Sequence, residues 1–349
     1  MPGVDGGRVD SSPVASLWPE PTPSWHAELL HCAREAGEDI GSALRLAERF
    51  GHQLPQPGAG RTALRWRALA DVAAADLTAA RVLEAHTDAL AILTEAGQVA
   101  AAGTWGVFAA EAPGARLDAV SERDAWTITG IKPWCSLATR LDNALVTAHV
   151  PGGRQLFAVN LRQDNVLAEP PSVWVARGLR NVPSGPVHFA GTPAHPVGAV
   201  GWYLSRSGFA WGGLGVAACW FGGACALAGA LLAKGRFDAP TDVLALQLGR
   251  VDAVLHASAA TLLDAAARVD RGAADATDGA LLALRVRAID ADAAEQTLVQ
   301  VGHALGPAPL AFDEMYARRS ADLTLYVRQH HGERDLAALG ALLIKGGSR

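Results

Sequence analysis

Cysteine is scarce in this chain. Only four of its 349 residues are cysteine, and Cys32, Cys135, Cys219 and Cys225 form no C-x-x-C pair and have no histidine at ligand spacing. They read as small buried hydrophobes in a reducing compartment, so neither a disulfide frame nor a metal site is expected. Charge is also thin, at 19% of residues with a formal net charge of −5. A nucleic-acid footprint needs a basic face, so that class of partner is excluded. No P-loop, H-E-x-x-H helix or G-x-S-x-G elbow occurs, and Ser, His and Asp are too scattered to argue a triad. G-L-G-V-A-A at 213–218 fits G-x-G-x-x-A, but no convincing strand precedes it and no βαβ unit surrounds it, so helix packing is the reading. A basic region followed by an apolar run is missing near residue 1, and a cytoplasmic protein is expected.

One long uncharged run does occur, between Arg206 and Lys234. Its length would permit a membrane span. Gly212, Gly213, Gly215, Gly222, Gly223 and Gly229, with many alanines, make it weakly hydrophobic, and no basic flank or aromatic belt frames it. A buried bundle helix whose small residues admit a neighbouring backbone is expected, and no membrane span.

Residues 1–24 are rich in Gly, Pro and Ser and read as a flexible N-terminus. Residues 25–50 read as one or two helices broken near Gly37 or Gly41, and 53–60 as a loop. One long amphipathic helix is expected over 62–96, with Leu69, Val72, Leu77, Ala80, Leu83, Thr87 and Leu90 on one face. His86, near that face, reads as a core histidine. From 104 to 196 short β-like runs alternate with Gly/Pro turns: T-W-G-V-F-A-A, A-W-T-I-T-G-I, N-A-L-V-T-A-H-V, Q-L-F-A-V-N-L, S-V-W-V-A and P-V-H-F-A. Helical pattern returns over 206–234, 241–270, 278–305 and 311–345. The fold class is therefore α+β: an N-terminal helical domain (25–102), a small middle β-barrel or sandwich (103–197) and a C-terminal four-helix bundle (198–349).

The most informative stretch is W-T-I-T-G-I-K-P-W-C-S over 126–136, followed by D-N-A-L-V-T-A. It reads as two short strands joined by Gly130, a polar turn and a third strand. Trp134, Cys135 and Ser136 fall at a strand end. A flat apolar ring beside a hydroxyl makes a wall for a planar heteroaromatic ligand; a core tryptophan with a serine capping its own turn is the plainer alternative.

This stretch resembles the middle β-domain of the acyl-CoA dehydrogenase family, where a "D-G-W-x-I-x-G-x-K-x-W-I-(S/T)" run lies against FAD. The resemblance covers roughly residue 62 to the end and matches the α, β, α order. It implies that Trp134 flanks the flavin and that Ser136 bonds near its N5/O4 edge. W-G-V-F-A-A-E-A-P-G-A (105–115) is similar to the family's "T-E-P-x-x-G-S" region, which implies flavin contacts from Phe108, Ala110 and Gly114. G-L-R-N-V-P-S-G-P-V-H-F (178–189) is similar to its "G-M-R" strand pair. Q-V-G-H-A-L-G-P (300–307) resembles the "Q-x-x-G-G-x-G" element, which implies that Gln300 and Gly302 meet the flavin adenylate of a neighbouring subunit.

The family removes an α-proton from an acyl thioester with a carboxylate while flavin N5 accepts the β-hydride. That carboxylate is absent here. Aligning Ala321-Asp322 with the family's Arg-Asp places His330 near its position, with Glu333 one turn on to orient it or to act directly, against the alternative of a solvated charged helix face. On a helix, His330 and His331 would point about 100° apart. Desaturation of an acyl-CoA or acyl-carrier-protein substrate with FAD is thus the first expectation. The alternatives are a flavin monooxygenase or oxidase of the same fold and a non-catalytic subunit paired with an active homologue. The family also implies a homodimer or homotetramer.

Overall fold

Asp76 divides the helix expected over 62–96. Its backbone is extended (φ −156°, ψ 122°) and its carboxylate accepts the Ala79 N–H at 2.8 Å, so it ends α3 (Thr62–Ala75) and N-caps α4 (Leu77–Glu95). An N-cap aspartate satisfies a donor that the first helical turn otherwise leaves unpaired. Arg318 holds the other carboxylate oxygen at 2.7 Å and ties this joint to the C-terminal helices. The structure is a computed structural model that describes residues 18, 21–37, 39–123, 125–237 and 241–346. The flexible stretch expected over 1–24 lies almost wholly outside these residues. Ahead of α3, α1 (Ser24–Ala36) and α2 (Ile40–Phe50) separate at Gly37, as expected.

Among the described residues seven strands follow: β1 (Trp105–Phe108), β2 (Leu117–Glu122), β3 (Ala125–Ser136), β4 (Asn143–Val150), β5 (Gly153–Asn160), β6 (Val166–Ala168) and β7 (Ser184–Val197). Pairing runs β4–β2–β3–β7–β5 and returns to β4, which closes a small barrel. β1 extends the parallel edge of β4, and β6 lies on β7. Closure removes the open edges that would otherwise template aggregation. Two sequence expectations need correction. Residues 126–136 are one strand, with Gly130 (φ +128°) inside it: a Cβ there would meet the Arg116 carbonyl at 2.2 Å. S-V-W-V-A is not a strand; Pro170 and Pro171, which lack N–H donors for a ladder, lead into a 3-10 turn over Pro171–Val173.

The remainder is helical: α5 (Trp202–Ser205), α6 (Ser207–Phe237), α7 (Asp242–Asp270), α8 (Ala276–Leu305), α9 (Ala308–Phe312), α10 (Glu314–Tyr326) and α11 (Glu333–Gly346). By length and composition α6 could cross a membrane. In the molecule it is the inner helix, packed on α3, α7 and α8 with Trp220 and Leu231 fully buried. Its glycines set the spacing, since a Cβ on Gly222 would stand 2.0 Å from the Ala70 carbonyl of α3. The single helix expected over 311–345 is also corrected. α10 gives way to a 3-10 turn at Val327–Gln329, His330 is extended, and Gly332 takes φ +56° before α11 begins. His330 and His331 therefore stand on a connection, not on a helix.

Two glycines of α6 supply a test of the packing. Gly222→Ala is expected to lower stability by about 1–3 kcal/mol through overpacking against α3. Gly229→Ala, with nothing within 4 Å of the new Cβ, is expected to be neutral or stabilising because alanine favours the helix. Urea denaturation of both variants measures this, and equal midpoints would contradict it.

Candidate active site

Between Lys132 and Cys135 the β3–β7 ladder slips by one residue, because three steps on β3 match two on β7. Pro133 lies in this bulge and has no N–H to lend to a ladder. A bulge re-aims the side chain that it releases. Here that residue is Trp134, which takes φ +59° and leaves its side chain 58% exposed. A bulky residue at positive φ is an outlier held by its surroundings. Cys135, next along, is buried with its thiol 3.2 Å from the Lys132 carbonyl. Ser136 rejoins the ladder opposite Ser184, and their hydroxyls are 2.8 Å apart.

Trp134 and Ser136 edge a cleft of about 610 Å³ at the junction of the three layers. That volume lies within the range of small-molecule and cofactor sites. Arg81, Glu84 and Asp88 of α4 line it, three and then four residues apart and so on one helical stripe. The barrel adds Ala110 and Glu111 from the loop after β1, α10 adds Tyr326, and the connection that follows it adds Gln329 and His331. The turn before β7 closes one end. Its Leu179 N–H (φ +46°) donates to Asp322 Oδ1 at 2.6 Å, and a Cβ on Gly178 would lie 2.0 Å from the Ala321 carbonyl. The G-L-R turn and the Ala321-Asp322 pair, distant in sequence, thus dock on each other.

The α4 face is charged and poorly hydrated. Arg81 pairs with Glu84 at 2.9 Å, donates to Ser136 Oγ at 3.4 Å and lies 5.9 Å from the Tyr326 ring centroid. Tyr326 Oη is 3.5 Å from Glu84. Burial raises Glu84 to about 7, with Arg81 opposing the rise. Asp88 is also raised, chiefly by burial. His86, on the far side of α4, is buried as expected. Its Nδ1 accepts the Trp105 N–H at 3.1 Å, Nε2 has no hydrogen-bond partner, and burial holds its pKa down near 4.

Of the residues singled out from sequence, the fold brings Trp134, Ser136 and Ala110 to the cleft. Phe108 is buried behind it, at a small void that also touches Arg81 and Ser136. Gly114 (φ +78°) sits in an exposed turn away from the cleft lining. Gln300 and Gly302 lie near the end of α8, outside the lining. His330 does not line the cleft: its ring packs edge-on to Trp220 with centroids 6.4 Å apart, Nε2 is 3.9 Å from Asp335, and burial lowers its pKa. Glu333 is exposed at the start of α11 and also off the lining; it is His331 that reaches the cleft, bonded through Nδ1 to Asp335 at 3.2 Å. The displacement follows from the break at Gly332. Sequence reasoning missed Glu84 and Asp88, whose only signal was their shared stripe with Arg81 on an amphipathic helix, a pattern that ordinarily marks a solvated face. Among the described residues no group of three His, Cys, Asp or Glu is placed to hold a metal ion.

This arrangement of helices, closed barrel and helices is the acyl-CoA dehydrogenase fold. Among solved structures it is similar to KijD3 in complex with FMN and dTDP-3-amino-2,3,6-trideoxy-4-keto-3-methyl-D-glucose, at TM-score 0.77 and 16% identity over 95% of this chain and 96% of that one. It is likewise similar to the dibenzothiophene monooxygenase TdsC from Paenibacillus sp. A11-2, at TM-score 0.73 and 17% identity over 96% and 97%. Butyryl-CoA dehydrogenase from Megasphaera elsdenii aligns at TM-score 0.75 and 14% identity over 93% and 99%. No protein-family model and no curated protein sequence matches the chain.

Two variants test the site. Because an L-residue at positive φ is strained by about 1–2 kcal/mol, Trp134→Gly should be more stable than Trp134→Ala by about 1 kcal/mol in urea denaturation; the reverse order would show that the bulge is not strained. Glu84 titrates higher in the folded chain than in the unfolded one, so its ionisation removes stability as pH rises from about 4 to about 7. Glu84→Gln cannot ionise and should gain melting temperature relative to the parent across that window. Parallel curves from pH 4 to 8 would sink this assignment.

Proposed function

We propose that this chain is a flavin-binding oxidoreductase and that it works as a monooxygenase on a polar substrate. The observation that carries the flavin reading is Trp134, an exposed indole fixed by a strained bulge at the mouth of a roomy cleft, two residues from the Ser136 hydroxyl. A flat ring and a hydrogen-bonding wall suit a tricyclic heteroaromatic group, and the cleft has space for it. The chemistry such a group supplies when bound is two-electron redox exchange and, once reduced, activation of O2. Support comes from the fold neighbours, since KijD3 and TdsC are described with FMN. The isoalloxazine ring is shared by FMN and FAD, and the reading is of that ring. FAD in particular would place its adenylate half against Gln300 and Gly302 of a second copy.

The monooxygenase assignment rests on where the carboxylates are. Desaturation as the family performs it uses a carboxylate base on the C-terminal wall, yet among the described residues that wall offers the cleft no acid, and its one imidazole, His331, is bonded through Nδ1 to Asp335 at 3.2 Å. The carboxylates stand instead on the loop after β1, with Glu111, and on α4, where Glu84 and Asp88 would lie against an acyl chain and lose water without compensation. In this reading Ser136 and Arg81 orient the ring edge, Trp134 shields it, and Glu84 holds or releases a proton near neutral pH while Tyr326 positions it.

Purified protein titrated with FMN and with FAD, followed by absorbance near 370 and 450 nm, tests the first part. Trp134→Ala and Ser136→Ala should each weaken flavin binding by roughly tenfold, the order of one lost contact worth about 1.4 kcal/mol. Protein that takes up neither flavin would favour a non-catalytic subunit. Oxygen consumption with chemically reduced flavin is expected, whereas anaerobic bleaching of the bound flavin by an acyl-CoA would restore the desaturase.

A further inference from the structure

Three carboxylates lie along or beside the cleft face of α4, and two of them have partners. Glu84 is held by Arg81 at 2.9 Å, and Glu95 by Arg206 at 2.6 Å. Asp88, between them, makes no hydrogen bond or ion pair with any described residue, although it forms part of the cleft wall and is only partly exposed. The groups facing it from each side are accounted for. Arg81 and Arg206 are engaged as above, and Arg65 on α3 is buried and donates to the Pro55 carbonyl at 3.1 Å. Tyr203 of α5, buried, shares the cleft wall with it, and its ring is already faced by the Arg206 guanidinium, 5.3 Å from the ring centroid. Gly212 at the start of α6 gives the carboxylate its place, since a Cβ there would meet Oδ1 at 2.7 Å.

A carboxylate taken largely out of water without a partner is costly. The other acids on this side have cationic partners, Arg81 for Glu84, Arg206 for Glu95 and Lys132 for Glu111, whereas Asp88 has none within ion-pair distance among the described residues. A ligand that brings its own positive charge and N–H donors removes the cost. A neutral or anionic one does not.

We propose that the substrate of this cleft carries a positively charged amine, and that Asp88 receives the ammonium group. The proposal rests on the reading of the cleft as the substrate side of a flavin site, and it narrows that reading to cationic amines. It also accounts for the polar lining of α4, which is unsuited to a fatty acyl chain.

The test compares benzylamine, cationic at pH 7.5, with its neutral isostere benzyl alcohol. Binding to the flavin-loaded protein is measured by calorimetry, with flavin content read separately by absorbance. Benzylamine is expected to bind at least tenfold more tightly than benzyl alcohol. Asp88→Asn, nearly isosteric, should abolish that preference while leaving flavin content and melting temperature at or above the parent values. Glu84→Gln should keep the preference, which separates Asp88 from a general loss of negative charge. Equal binding of the two probes, no binding of either at millimolar concentration, or an undiminished preference in Asp88→Asn each overturns the proposal. A chain that takes up no flavin yet keeps the Asp88-dependent preference would show that the flavin reading fails and the amine site stands.

Discussion

One guanidinium joins the three layers of this protein. Arg81 projects from α4, pairs with Glu84 on its own helix, reaches Ser136 on the barrel and lies beside the Tyr326 ring of the C-terminal helices. Arginine suits such a junction because its planar fork offers several donors at fixed angles and keeps its charge when water is removed. Without it, Glu84 would be a buried charge beside an aromatic ring, and Ser136 at the barrel edge would lose its polar contact with α4. Apolar packing joins the same layers away from the cleft, with Leu90, Ile92 and Leu93 of α4 against Trp105, Leu145 and Leu156 of the barrel, and Arg81 is the polar link at the cleft itself.

The barrel contributes rigidity, and the irregularity between Lys132 and Cys135 contributes the site. Hydrogen-bond closure from β4 round to β5 leaves few degrees of freedom, so strain can be stored where Pro133 interrupts the ladder and Trp134 is pushed to positive φ. A relaxed strand would alternate this indole into the barrel or leave it flat against solvent. The same logic holds at the other end of the cleft, where Leu179 at positive φ is pinned by Asp322. Two strained backbones, both braced by neighbouring elements, define the mouth and the closed end of one cavity.

How much of this could be read from residues alone varied with the distance over which each decision was made. Breaks that depend on a local residue type were legible: Gly37 ends α1, and the prolines and glycines punctuate the β-region. Asp76 carried an N-cap signal of its own, but the apolar stripe on either side continued through it and masked the joint. The S-V-W-V-A run has β-branched and aromatic content suited to a strand, yet Pro170 and Pro171 just ahead of it lead the chain into a 3-10 turn. His330 aligned by motif to a catalytic position, whereas Gly332 a few residues on turned the chain and sent His331 to the cleft instead. Of the expected flavin contacts, Trp134, Ser136 and Ala110 converge, while Gly114, Gln300 and Gly302 stay apart within one copy.

By itself, the order of residues determined the sequence of layers, the buried character of α6 and the identity of the Trp134–Ser136 edge. These follow from periodicity, composition and short-range stereochemistry, which any segment carries with it. Only the tertiary structure decided that Glu84 and Asp88 face a cavity and not solvent, that Arg81 is spent on Glu84, and that Asp88 is left without a partner. Whether a charged stripe on an amphipathic helix is wet or dry depends on what packs over it, and that is set by α5, α6 and α10, more than a hundred residues further along the chain.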